Sequence, residues 1–325
     1  MRIFGWIIAS VLLLITGHAA TAQDYPDKSR TLRIIVSYPP GAANDILARL
    51  VGQKLQERWG LPVVVDNRAG ANGMIGAAAV AKATPDGYTL WLGTDGPAAI
   101  NKSLYHSIPY DPIKDFAPLT LLARYQFVLI VPPSLGVSTV AEFVALAKKK
   151  PGTISFGSPG IGSQHHLGME LLASETGIDI LHVPYRGSAA AINGMLTGDV
   201  QAQLQGTAVV QPFMAEGTVK GLAVSSATRS PVVPNLPTMT EAGVPGYDIS
   251  AWFGLLAPAG TPAAIVDKLH KELVEIVKLP DVREKMLLQG LEPTTNTPQE
   301  FAAMLKSEIA RWGKIVQTAK VKPMD

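Results

Sequence analysis

Short apolar runs alternate with longer segments whose apolar residues recur every three or four positions, and this alternation fills most of the chain. Runs of four or five apolar residues read as buried strands, and the periodic segments read as amphipathic helices. Strands are predicted at residues 33–37, 62–66, 89–93, 128–131, 155–157, 180–183, 202–204, 222–225 and 253–257. Helices are predicted at 45–59, 73–83, 140–149, 163–176, 188–194, 209–216, 262–278, 280–289 and 298–319. Strands followed by helices define an α/β fold, with helices on both faces of mainly parallel sheets. Several helix starts are written in the sequence. Ser138 or Thr139 can cap the helix at Val140, Thr261-Pro262 puts proline at a first helical position, and Thr297-Pro298 with Glu300 repeats that signal. The last 65 residues are mostly amphipathic helix whose charged faces, with Lys268, Lys271, Glu272 and Glu275, read as packing elements turned to solvent.

The N-terminal residues follow a different pattern. Arg2, an apolar run over residues 7–15 and small residues at Ala20 and Ala22 make a secretory signal, with cleavage expected after Ala22. The run is too short for the roughly 20 helical residues that span a bilayer. The chain has no cysteine, which excludes a lipid-anchored lipoprotein, disulfides, thiolate metal sites and cysteine nucleophiles. A soluble periplasmic protein is expected. The remaining length, about 300 residues, favours two lobes over one core. The formal charge is only +2, and Lys148-Lys149-Lys150 forms the longest basic run, so nucleic-acid binding has no electrostatic support.

The loop after the first strand, Tyr38-Pro39-Pro40-Gly41-Ala42-Ala43-Asn44-Asp45, leads directly into a helical pattern. First-turn amides have no partner within a helix and attract anions. Small residues at Gly41, Ala42 and Ala43 would let a carboxylate approach them. Taken alone, the loop also reads as an ordinary strand-to-helix turn capped by Asp45. A second loop, with Ser158, Gly160, Gly162 and Ser163 before a helix starting near Gln164, repeats the pattern of a strand, small residues and a helix.

Five segments, in this order, carry a family resemblance. They are Tyr38-Pro-Pro-Gly-Ala-Ala-Asn-Asp45 with Ala48-Arg49; Val65-Asp-Asn-Arg-Ala-Gly-Ala-Asn-Gly-Met-Ile-Gly76; and Pro85-Asp-Gly-Tyr-Thr-Leu90 with Tyr110-Asp-Pro-Ile-Lys-Asp-Phe116. The others are Phe156-Gly-Ser-Pro-Gly-Ile-Gly-Ser163 with His165-His166, and Val183-Pro-Tyr-Arg-Gly-Ser188 followed by Pro237-Thr238 and Glu241-Ala-Gly-Val-Pro-Gly-Tyr247. Over essentially the whole mature chain the sequence resembles the Bug family, the TctC-like solute receptors of tripartite tricarboxylate transporters. The resemblance implies a type II periplasmic binding protein-like fold, in which two α/β lobes close by a hinge over an interlobe cleft. It further implies a small organic carboxylate as ligand, delivery to membrane permease subunits, and no catalytic residue. No cofactor and no metal are expected, and the receptor is expected to be a monomer.

Chain order places lobe 1 at residues 23–125 plus 250–325 and lobe 2 at 126–249, with crossings near 125–128 and 247–252. The family's ligand-facing loops map onto Tyr38, Gly41, Ala42, Ala43 and Asp45 in one lobe and onto Ser158, Gly160, Gly162, Ser163 and Gln164 in the other. Asp45 would orient amides or water rather than touch a carboxylate. Thr94, at the end of a strand, and Tyr185 with Gly187, before another helix start, complete the expected walls. Arg186 reads as a solvated turn residue. Valine at Gly41 or Gly162 is expected to block the amides while leaving the fold intact.

The sequence departs from the family pattern at Ala42, where a second glycine is common, at Ala69, where proline is usual, and at Gln205, where relatives generally carry an acid. A neutral Gln205 removes a carboxylate able to pair with an amino group, which favours a plain carboxylate or aromatic acid. Other readings lack support. His166 and Glu170 stand four apart but have no third metal ligand, and no glycine-rich loop completes a dinucleotide or phosphate-loop motif. A periplasmic hydrolase would need a nucleophile elbow, and no Gly-x-Ser-x-Gly occurs. A periplasmic sensor that hands its ligand-bound form to a signalling partner would use the same cleft as a transport receptor.

Overall fold

The computed structural model describes residues 25–325. The signal segment expected at 1–22 lies outside the described residues. The first half of the chain gives β1 (Leu32–Val36), α1 (Ala43–Trp59), β2 (Val63–Asn67), α2 (Met74–Ala81), β3 (Thr89–Thr94), α3 (Asn101–Leu104), β4 (Phe116–Val131), α4 (Val140–Lys149) and β5 (Ser155–Ser158). The second half gives α5 (Gln164–Thr176), β6 (Leu181–Pro184), α6 (Ser188–Leu196), β7 (Ala202–Gly206), α7 (Thr207–Ala215), β8 (Lys220–Val224), β9 (Ser250–Pro258), α8 (Ala263–Lys278), α9 (Pro280–Leu288), β10 (Leu291–Pro293) and α10 (Pro298–Thr318).

The strands form one mixed sheet in the order β2-β1-β3-β9-β4-β7-β5-β6, with β8 and β10 also bonded to β4. Its two wings are parallel, β1 pairing with β2 and β3, and β5 with β6 and β7. The centre is antiparallel, because β4 and β9 carry the chain across in opposite directions. The 16-residue β4 pairs with β9 through Gln126, with β7 from Phe127 and with β8 from Val128. Only residues 128–131 of this strand are legible in the sequence. In the remainder, residues 119–123 are buried on both faces and two register shifts interrupt the pairing, so it shows no two-residue alternation.

At the crossing, Ser225 ties the two connecting segments together. Its amide donates to Phe127 O (2.9 Å), its Oγ accepts from Phe127 N (3.2 Å), and Ile249 N donates to Ser225 O (2.7 Å). Separate apolar cores flank the wings, one around Leu47, Val51, Leu92 and Leu273, another around Phe143, Phe156, Leu167 and Leu204. Each fully buried side chain of this kind contributes roughly 1.5–3 kcal/mol of burial. The C-terminal helix joins both sides: Phe301 and Leu305 of α10 pack with Trp91 and Trp252, while Trp312, Ile315 and Val316 pack with Phe143 and Leu167. Chain order alone assigned this helix to the first lobe. Gly254 in β9 makes the packing of α10 possible, since a Cβ there would lie 2.5 Å from the Phe301 ring.

Candidate functional site

Parallel pairing of β1 with β3 brings the C-terminal ends of both strands to one rim, where Tyr38 follows β1 and Thr94 ends β3. Tyr38 Oη lies 3.5 Å from Thr94 Oγ1, and burial pushes the Tyr38 hydroxyl up to about 12. From the other wing, antiparallel pairing sets Gln205 of β7 opposite Val128 and Gly206 opposite Phe127. Between the two groups lies a cavity of about 250 Å³. That is below the roughly 300–1,000 Å³ common for drug-sized ligands, so it suits a small molecule. A larger surface groove, about 770 Å³, runs between α9 and the segment after β8, and none of its side chains is a buried polar group lacking a partner.

Six of the residues expected from sequence line the cavity: Tyr38, Ala42, Ala43, Thr94, Gln164 and Gln205. Ala42 has extended backbone and caps the start of α1 without any side-chain hydrogen bond. The amides of Ala43 and Asn44 therefore have no acceptor inside the helix. Asp45 does not line the cavity; it lies behind the loop, where its Oδ2 accepts from Gly41 N (2.9 Å) and its Oδ1 from Asn67 Nδ2 (2.9 Å). Burial would raise the Asp45 carboxyl, but the bonds from Arg49, Gly41 and Asn67 outweigh it and hold the group below its usual range.

The second loop is arranged differently. Ser163 Oγ accepts from His166 N and donates to Gly160 O (2.7 Å), Gly162 N donates to His166 Nδ1 (3.1 Å), and Gly160 N donates to Ser158 Oγ (3.2 Å). These polar groups are spent on one another and, for Ser158, on His182, and none of Ser158, Gly160, Gly162 and Ser163 lines the cavity. A Cβ at Gly162 would meet Leu104 of α3 at 2.2 Å, so the expectation that valine is tolerated there is corrected: the side against Leu104 is closed. The space around Gly41 is open. Tyr185 packs over α6, with its hydroxyl against Gly194. Gly187 is the N-cap of α6, again without a side-chain cap, and the adjoining Ser188 reaches the cavity.

Sequence reasoning missed the aromatic wall and part of the polar floor, Asp95 and His165 above all. Tyr125, Phe127 and Phe253 meet edge to face at 5.5 and 6.2 Å, and Phe127 meets His165 at 4.6 Å. Gly206 leaves room for this wall, since a Cβ there would overlap the Tyr125 ring. The available signal was the aromatic character of the two crossing segments. Asp95, beside Thr94, is fully buried, and its Oδ1 accepts from Gln164 Nε2 at 2.6 Å. Burial pushes the Asp95 carboxyl up to about 7 and the His165 imidazole down to about 4. Among the described residues no lysine or arginine lines the cavity.

An α/β protein whose two sheet wings share a small cavity, entered by uncapped helix starts and crossed by two strands, has the architecture of a solute-binding protein. Residues 47–321 match the family described as tripartite tricarboxylate transporter family receptor. BugT of Bordetella pertussis is 36% identical over 318 residues, covering 97% of each chain. A solved R. palustris structure with adipate is 37% identical, with a TM-score of 0.82, covering 93% of this chain and 100% of that one. MatC from Rhodopseudomonas palustris with bound malate is 31% identical, with a TM-score of 0.75, covering 88% and 99%. The chain belongs to the tripartite tricarboxylate transporter receptor family, a family of periplasmic substrate-binding receptors. Among the described residues no helix is long and apolar enough to cross a membrane.

Proposed function

We propose that this receptor captures a small organic carboxylate in the 250 Å³ cavity and delivers it to the membrane permease subunits of a tripartite transporter, without chemistry. The observation that carries the reading is the meeting, in one cavity that no lysine or arginine among the described residues lines, of two helix starts whose N-cap residues, Ala42 and Gly187, offer no side-chain cap. Such amide clusters hold a carboxylate at about 0.3–1 kcal/mol each when exposed and up to about 2 when partly buried. Neutral donors also permit release. The relatives solved with adipate and malate support this ligand class.

Two lobes meeting at Gln126–Phe127 and Ile249–Ser250, with α10 packed on both, are the proposed moving parts. Ala42, Ala43, Asn44 and Thr94 would grip the ligand from one side and Gln164, Ser188 and Gln205 from the other, so binding biases closure. Cleavage after Ala22, export to the periplasm and a monomeric state complete the proposal. The test is thermal denaturation of the mature chain with di- and tricarboxylates, aromatic acids and acidic amino acids. A saturable rise in Tm with the acid recovered unchanged supports the receptor. No rise with any acid, or turnover of one, overturns it.

A further inference from the structure

Among the described residues, three side-chain polar atoms of the cavity lining are buried without a partner: Asp95 Oδ2 and Gln205 Oε1, both acceptors, and His165 Nδ1, whose role follows from its tautomer. Asp95 is fully buried and uses only one of its oxygens within the protein: Oδ1 accepts from Gln164 Nε2 (2.6 Å) and from Gly96 N (3.2 Å), and Oδ2 has no partner. Gln205, also fully buried, donates from Nε2 to Gln203 Oε1 at 3.0 Å and leaves Oε1 unpartnered.

Amide orientation matters here, and a relay sets it. Gln203 Nε2 donates to the backbone oxygen of Ala191, so Gln203 can offer only Oε1 to its neighbour, and Gln205 must present its NH2 to that oxygen. The Gln205 oxygen is thereby held free as an acceptor at the cavity wall. Among the described residues that line the cavity, Asp95 is the one acidic side chain and none is a lysine or arginine. Buried acceptors of this kind are normally satisfied, and their partner is missing from the protein itself.

We propose that Asp95 and Gln205 form a subsite that selects a carboxylate bearing a hydrogen-bond donor, an amino or hydroxyl substituent, over its unsubstituted analogue. The proposal rests on the reading of the cavity as a carboxylate site and specifies the rest of the molecule. A plain dicarboxylate brings acceptors only. Against ionised Asp95 it would leave both acceptors unpaired and set a second negative charge beside that carboxylate, so the comparison belongs at about pH 8 or above, beyond the value of about 7 to which burial pushes the group. A donor-bearing acid keeps its carboxylate for the amides at Ala43 and Asn44 and offers N–H or O–H to Asp95 Oδ2 and Gln205 Oε1. Because Asp95 is also bonded to Gln164 of the opposite wing, that contact falls where the two sides of the cavity join. This reverses the expectation from Gln205 alone: the acid missing from the end of β7 is supplied by the end of β3.

The test is calorimetric titration with two matched sets: succinate, malate and aspartate, then adipate, 2-hydroxyadipate and 2-aminoadipate. In at least one set a substituted acid is expected to bind about tenfold or more tightly than its parent, the scale of a charge-assisted hydrogen bond. Asp95→Asn keeps Oδ1 for Gln164 and Gly96 and replaces the free acceptor by a donor. It is expected to cut that preference at least about tenfold and to tighten the parent acid. Gln205→Met, which removes the second acceptor at similar length, is expected to lower the preference several-fold, and unfolding curves of both variants without ligand establish that they fold. Parent acids binding as tightly as their substituted partners, or a preference unchanged in both folded variants, overturns the subsite while leaving the carboxylate receptor intact. Failure of all six acids to bind overturns the carboxylate reading and the subsite with it.

Discussion

Helices α1 and α5 both begin where a parallel strand ends in a loop with glycine, yet they treat their first-turn amides in opposite ways. At α1 the N-cap residue, Ala42, offers no side-chain cap; Asn44 Oδ1 takes the Asp45 amide (3.0 Å), and Asp45, the nearby acid, turns back to hold Gly41 and Asn67. At α5 Ser163 caps the helix, and the loop closes on itself through Ser158, Gly160 and His166. The first start leaves backbone amides at the cavity, whereas the second offers side chains, Gln164 and His165. A glycine-rich turn before a helix is therefore not in itself an anion site. What decides is whether a serine, threonine or aspartate within the loop has already taken the amides.

The largest effect should separate the two glycines. Gly162→Ala forces a Cβ into Leu104 at a backbone φ of 77° and should cost about 2–4 kcal/mol in denaturant unfolding. Gly41→Ala, with φ of 88° but open space around it, should cost only about 1–2 kcal/mol. Equal losses would mean that the α5 loop is not the packed element described here.

Next in size is Ala42→Asp, which gives α1 the cap that α5 already has. Stability should rise by about 0.5–1 kcal/mol while carboxylate affinity falls about tenfold or more, since the new side chain occupies and repels at the same amides. A variant that gains the stability and keeps the affinity would remove α1 from the binding mechanism. The smallest effect is expected of Ser163→Ala, which uncaps α5. Unfolding free energy should drop by about 1 kcal/mol and affinity should stay within about threefold. If calorimetry instead shows affinity lost with little change in stability, the two helix starts act alike and the contrast fails.

Legibility followed locality. The helix at 140–149 is read from sequence with the bounds the structure shows, because Thr139 and Glu142 form a capping box within a few residues of each other. The start of α10 is fixed the same way by Thr297 and Glu300. Residues 119–123 of β4 were invisible because burial on both faces erases the alternation that marks a strand. The residues between β3 and α3 were equally silent, since Gly96-Pro97 reads as a break although it opens a buried helical turn. At the cavity, Tyr38, Ala42, Ala43, Thr94 and Gln164 were found from their place beside a strand end or a helix start, although Asp95, His165 and Ser188 in similar places were not. Tyr125, Phe127 and Phe253 were not, because their role comes from β4 and β9 passing each other.

The sequence by itself determined the α/β class, the capped starts of α4 and α10, the family and the loop at Tyr38–Asp45, since each is set by short-range pattern or by motifs in order along the chain. The start of α8, read as proline at a first helical position, instead has Pro262 as its uncapped N-cap. The tertiary structure alone decided which polar atoms remain free. Gly162 is closed off by Leu104 from α3, Ser163 is consumed by its own helix, and Asp95 and Gln205 are brought to one cavity from strands more than a hundred residues apart. Hydrogen-bond capacity is a property of each residue type, but whether it is spent within the protein or left for a ligand depends on what the fold places within about 3 Å of it.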